Sequence, residues 1–138
     1  MIAYLDSSVI LRVVLNQPAQ LTELSSVLLG VTSQLAEVEC LRTLDRLHVA
    51  GQLTVEEGAR AREAVYALLK EMEIVQISAA VLRRASNPMP APLGTLDAIH
   101  LATAEVWREE QQKEPMIATH DRALALAARA SGFEVLGV

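Results

Sequence analysis
The chain has 138 residues, 51% of them hydrophobic, which suits one domain with one sizeable core and excludes a disordered chain. A formal net charge of −5 argues against a basic, nonspecific polyanion binder, and 3% aromatic content leaves few rings on which single-stranded bases could stack. Cys40 is the only cysteine, so neither an intrachain disulfide nor a cysteine-based zinc site is expected. No apolar stretch reaches the length of a membrane span, and the first residues lack the basic region and cleavage site of a secretory signal. The expected compartment is the cytoplasm.

Ile2 to Asp6 reads as a short buried strand. Ser7 or Ser8 can cap the helix that follows, which runs to Leu15 and stops before Asn16-Gln17-Pro18. Ala19 to Leu29 is helical in pattern, with Gly30 as its stop. Val31 to Ser33 is a very short strand. Gln34 to Ala50 is a long helix closed by Gly51. Thr54 caps the next, which has Glu56 and Glu57 in its first turn and ends near Glu71. Ile74 to Ile77 is a strand, and Ser78 caps a short helix over 79–85. Three prolines make 87–94 an extended loop. Thr95 opens a long helix to about Gln112. Met116 to Thr119 is a strand, 121–130 a helix stopped by Gly132, and Glu134 to Leu136 a last short strand. This alternation implies a central, mainly parallel sheet of short strands covered on both faces: a three-layer α/β/α, Rossmann-like domain over 1–138.

Four acids stand where apolar residues are expected. Asp6 ends the first strand, Glu39 interrupts an apolar helix, Asp97 stands in the first turn of the helix after the proline loop, and Asp121 follows the strand at 116–119. A carboxylate beside a core is costly unless it is capped, paired or metal-bound. In open α/β sheets ligands bind outside the carboxyl ends of the strands, near the reversal of strand order. Asp6 and Asp121 belong to that edge, and the element order lets Glu39 and Asp97 project toward it. Two carboxylates about 4 Å apart cost roughly 4 kcal/mol at an effective dielectric near 20. An oxygen-only donor set suits Mg²⁺, with Mn²⁺ able to substitute, and such an ion supports phosphodiester hydrolysis. Glu37 competes with Glu39. The two lie roughly 200° apart on a helix, and periodicity alone does not choose between them.

The segments 1–10 (Met-Ile-Ala-Tyr-Leu-Asp-Ser-Ser-Val-Ile), 32–42 around Glu39, 95–104 around Asp97 and 119–124 around Asp121 resemble, in order, the four motifs of PIN-domain nucleases. The closing residues 127–136 also match, and the compact length is similar to the VapC toxins of toxin–antitoxin pairs. The resemblance implies a Mg²⁺-dependent endoribonuclease acting on RNA, transfer RNA among the candidates, held inactive by a cognate VapB-type antitoxin and prone to form a homodimer. It favours Glu39 over Glu37, through an arginine three residues on, Arg42. It gives Asp6, Glu39, Asp97 and Asp121 metal and catalytic roles, with Thr119 and Arg42 as outer-shell or RNA-contacting residues.

Blander readings stand beside these. Asp6 and Asp121 can cap helices, and Asp97 can be an ordinary first-turn acid favoured by the helix dipole. His100, one turn from Asp97, is expected to be a hydrogen-bonded core histidine and not a general base. His120 is expected to face solvent, and Trp107 to serve packing or a dimer surface. Arg12, Arg42, Arg46 and Arg122 lie nearest the rim and can meet phosphate. A phosphatase would need a second aspartate where Ser8 stands, and a phosphoryl-accepting receiver an acidic pair after the first strand. The remaining alternative is a catalytically silent PIN-fold module that binds RNA or protein.

Overall fold
The computed structural model describes residues 1–138. Five strands, β1 (Ile2–Leu5), β2 (Leu29–Ser33), β3 (Met72–Val75), β4 (Met116–Ala118) and β5 (Val135–Leu136), form one sheet in the order β3-β2-β1-β4-β5. Every pairing is parallel. Six helices connect and cover them: α1 (Ser7–Val14), α2 (Gln34–Val49), α3 (Val55–Lys70), α4 (Ala79–Ala85), α5 (Thr95–Gln111) and α6 (Arg122–Ala130).

The two-residue period of a strand sorts side chains onto two cores. Ala3 and Leu5 of β1 and Ala118 of β4 point to one face, where they meet Val9, Ile10, Ala36, Cys40, Leu44 and Val65 of α1, α2 and α3. Tyr4, Val31 and Ile117 point to the other, against Leu101, Ala104 and Trp107 of α5 and Leu124 and Ala127 of α6. Val81 of α4 packs on Ala102 and Val106 of α5. Both faces are covered, as the apolar runs of the strands require.

Several helix starts follow the local chemistry. Ser33 caps α2, Ser78 caps α4, and Thr54 with Glu57 forms a reciprocal capping box at α3. At α1 the expectation is corrected: Asp6 is the cap and accepts from the Val9 N–H at 3.2 Å, in place of Ser7 or Ser8.

The helix expected over 19–29 does not form. That segment holds only a 3-10 turn, Thr22–Ser26, and its Leu21, Leu24 and Val27 pack on the first core from an irregular path. The chain must be extended by Leu29, because Leu29 is the register partner of Ile2. Gly30 is therefore a strand residue and not a helix stop. A Cβ there would lie 3.2 Å from Met72 Cγ, so the glycine lets β3 approach. β3 begins two residues earlier than expected, and its exposed Glu73 fits an edge strand.

Candidate active site at the reversal of strand order
Connections run outward from β1 to β2 and β3, and the chain then returns to place β4 on the other side of β1. The carboxyl ends of β1 and β4 thus flank the reversal, the usual location for a ligand in such a sheet. Asp6 and Thr119 stand there. The Asp6 N–H donates to the Ala118 carbonyl at 3.2 Å, extending the ladder into the site.

Asp6 is 4% exposed. Its Oδ1 accepts from Ser8 Oγ at 2.6 Å and from the Val9 N–H, while Oδ2 accepts from Thr119 Oγ1 at 2.7 Å. Burial raises its carboxyl above the usual range, and the hydroxyls of Ser8 and Thr119 and the charge of His100 oppose that rise. Ser8 Oγ in turn accepts from the His120 N–H, and Thr119 Oγ1 from the Asp121 N–H, both at 2.9 Å. Two hydroxyls therefore fasten the loop after β4 to the acid after β1. Asp121 caps α6 by accepting from the Leu124 N–H at 2.9 Å.

Glu39 reaches from α2 to His100 of α5, with Oε1 2.5 Å from Nε2. The other ring nitrogen, Nδ1, lies 2.7 Å from the Tyr4 hydroxyl. His100 is thus the expected hydrogen-bonded core histidine, but its partner is one of the four acids. Glu37 is exposed and turns elsewhere, toward Tyr66 and Lys70.

Asp97 is half-buried, and burial raises its carboxyl to about 6, with the charges of Asp121, Asp6 and Glu39 adding to the rise and His100 opposing it. Asp97 thus feels the charges of the other three acids from its place on the rim. No three His, Cys, Asp or Glu side chains converge tightly enough to hold a metal ion as they stand. Asp6 and Glu39 are turned to hydrogen-bond donors, whereas hydrogen bonding contributes nothing to the Asp97 shift. The donor set fits a hard divalent cation in chemistry and charge, all oxygen and short of positive compensation. A closed shell requires rotation of rim side chains. Cys40 lies beneath, where burial and the charges of Glu39 and Asp6 push its thiol up to about 12, so it is an inert core residue.

The remaining expectations divide. Thr119 is a direct partner of Asp6. Arg42 is exposed and paired with Asp45 at 2.8 Å. Arg46 donates to the Thr43 hydroxyl and Arg12 to the Pro18 carbonyl, and Arg122 is exposed. Trp107 is packing, 2% exposed, with Nε1 donating to Glu73 at 2.8 Å. His120 does not simply face solvent: it is partly buried, its Nε2 is enclosed without a partner, and burial and the nearby Arg12 lower its pKa. Sequence reasoning missed Ser8 as a partner of Asp6 and Tyr4 as a partner of His100. The two-residue spacing of Ser8 from Asp6 was a usable signal for the first. A cavity of about 760 Å³ lies beneath the proline loop between Leu82, Met89, Leu93 and Ile99.

Parallel strands with acids along the rim at their reversal point define an open α/β domain whose ligand site lies at that edge. Within it, the PIN domain family matches residues 3–130. The chain is similar to Ribonuclease VapC46 of Mycobacterium tuberculosis (strain ATCC 25618 / H37Rv), 31% identical over 136 residues that cover 96% of this chain and 95% of that one. It is similar to Ribonuclease VapC47 of Mycobacterium tuberculosis (strain CDC 1551 / Oshkosh), 31% identical over 138 residues, with 94% and 92% covered. Its fold matches a chain in a toxin–antitoxin complex from Klebsiella pneumoniae, with a TM-score of 0.68, 17% identity, and 97% and 95% covered. This chain belongs to the PIN-domain family, in its VapC-type branch.

Proposed function
We propose that the chain is a Mg²⁺-dependent endoribonuclease, the toxin of a toxin–antitoxin pair, acting in the cytoplasm and restrained by a VapB-type antitoxin. The observation that carries this reading is the gathering of acids on the rim at the strand-order reversal, with Asp97 feeling the charges of Asp121, Asp6 and Glu39. The ribonuclease names of the two relatives and the toxin–antitoxin assembly of the structural neighbour support it.

Asp6, Glu39, Asp97 and Asp121 would hold the cation. When bound, Mg²⁺ (or Mn²⁺) supplies positive charge against the phosphoryl oxygens and makes water a better nucleophile. Ser8 and Thr119 keep the Asp6 carboxylate aimed at the rim. A rim carboxylate would take the proton of the attacking water as the new P–O bond forms and pass it to the leaving ribose oxygen as the old P–O bond breaks. Arg42 and Arg122, both exposed, contribute to phosphate contact.

The test is cleavage of structured RNAs, transfer RNAs included, by antitoxin-free protein with Mg²⁺ or Mn²⁺. Asp6→Asn and Asp97→Asn are expected to lower the rate about 100-fold or more. Unchanged cleavage in both variants overturns the reading. One observation favours a second reading, a catalytically silent module: the acids do not close on a single point. RNA binding without cleavage under either metal supports that alternative.

A further inference from the structure
We propose that His100, held between the Tyr4 hydroxyl and Glu39, is the positioning residue of the acidic rim: it fixes the Glu39 carboxylate through Oε1 and leaves Oε2 as the oxygen offered to a divalent cation. The inference rests on the metal-site reading above. Three elements meet in this chain of bonds, Tyr4 from β1, His100 from α5 and Glu39 from α2.

A glutamate side chain is long and loses considerable rotamer freedom when fixed. Here the fixing group is rigid. His100 and Tyr4 are each 1% exposed, and their rings pack edge-on, 5.9 Å apart at 74°. An ionised carboxylate only accepts hydrogen bonds, so Nε2 carries the proton that Glu39 receives. On the other side of the ring Nδ1 pairs with the Tyr4 hydroxyl, so both nitrogens are held. The core thereby sets the orientation of an acid at the rim. His100 lies one turn beyond Asp97 on α5, so one helix both supplies an acid and aims another. Partners of this kind, one bond behind a ligating group, typically change metal affinity about 10–100-fold when removed.

Mn²⁺ binding to the full chain, measured by titration calorimetry without RNA, tests this. His100→Leu is expected to weaken Mn²⁺ about tenfold or more. His100→Gln, whose amide nitrogen can still donate to Glu39, is expected to recover most of that loss. Tyr4→Phe, which leaves Nδ1 without its hydroxyl partner, is expected to show a smaller loss. Because His100 acts through Glu39, the losses in His100→Leu and Glu39→Gln should be non-additive, an outcome that a general packing role does not produce. Equal affinity in wild type, His100→Leu and Tyr4→Phe, or fully additive losses, overturns the positioning role and leaves the metal site standing. Wild-type protein that takes up no Mn²⁺ overturns both. If His100→Leu does not fold, the comparison of Tyr4→Phe with wild type decides: equal affinity overturns the role.

Discussion
Asp97 bears the charge of its neighbours as well as its own. Its carboxyl is raised from 3.8 to about 6, first by burial and then by Asp121. Between those values the folded chain holds a proton that the unfolded chain has released. Stability is therefore greatest below the unfolded pKa and falls as pH rises through the folded one. A shift of this size corresponds to about 3 kcal/mol, which solvent screening at this half-exposed site cuts to about 1 kcal/mol. Asp97→Asn in metal-free buffer is accordingly expected to melt about 3 °C above wild type at pH 7.5, with the gap closing by pH 4. A thermal-shift series across that pH range checks it, and a constant gap would contradict the charge argument. Thr119 acts differently, since it donates to Asp6 and accepts from the Asp121 N–H. Thr119→Val retains the shape but leaves Asp6 Oδ2 and the Asp121 N–H without this partner. It should cost about 2 kcal/mol, read from denaturant midpoints.

At the scale of elements, the sheet edge near the site depends on one backbone approach. Gly137, just past β5, has φ +116, and a Cβ there would lie 2.0 Å from the Thr119 carbonyl oxygen. Gly137→Ala must push the end of the chain away from Thr119, whose N–H also bonds the Leu136 carbonyl at 3.0 Å. The expected cost is about 3 kcal/mol or more, with loss of amide-exchange protection at Thr119. Full protection at Thr119 in that variant would argue against the coupling. Nothing in the local sequence announces this contact, because it joins residues distant in the chain. The same limit explains the failed helix over 19–29: leucine spacing there favours a helix, but pairing of Leu29 with Ile2 demands extended chain. Parallel pairing is non-local, and it overrides propensity where the two conflict. The strand-then-acid order at Asp6 and Asp121 was legible because each follows a short apolar strand, beside which a charge is conspicuous. Capping chemistry was legible at Thr54 and Ser78, missed at Ser33, and left between the serines and Asp6 at α1, where Asp6 takes both the cap and the rim position. The tie from Glu39 to His100 crosses 61 residues and left no local mark.

Across the whole molecule, the charge balance looks wrong for a protein that approaches RNA, with 17 acidic side chains against 12 basic ones. Set aside the four rim acids, and thirteen acidic side chains face the same twelve basic ones. Most of the excess thus sits in one place, where a divalent cation can offset it. On the proposed reading the rim is a repulsive cluster without metal and an attractive site for phosphate once a cation is bound, so folding and metal binding would be linked. Mn²⁺ held at one hundred times its dissociation constant should stabilise the wild type by about 2.7 kcal/mol. For a domain of 138 residues that amounts to about 9 °C in melting temperature. Asp6→Asn, which removes the charge of the most buried of the four acids, should lose most of this gain while keeping the helix cap through its side-chain oxygen. The gain should also shrink as pH falls through about 6, where Asp97 takes up a proton and competes with the metal. Differential scanning calorimetry with and without Mn²⁺, at pH 7.5 and pH 5, separates these terms. A metal-induced rise equal in wild type and Asp6→Asn would place the ion elsewhere on the molecule.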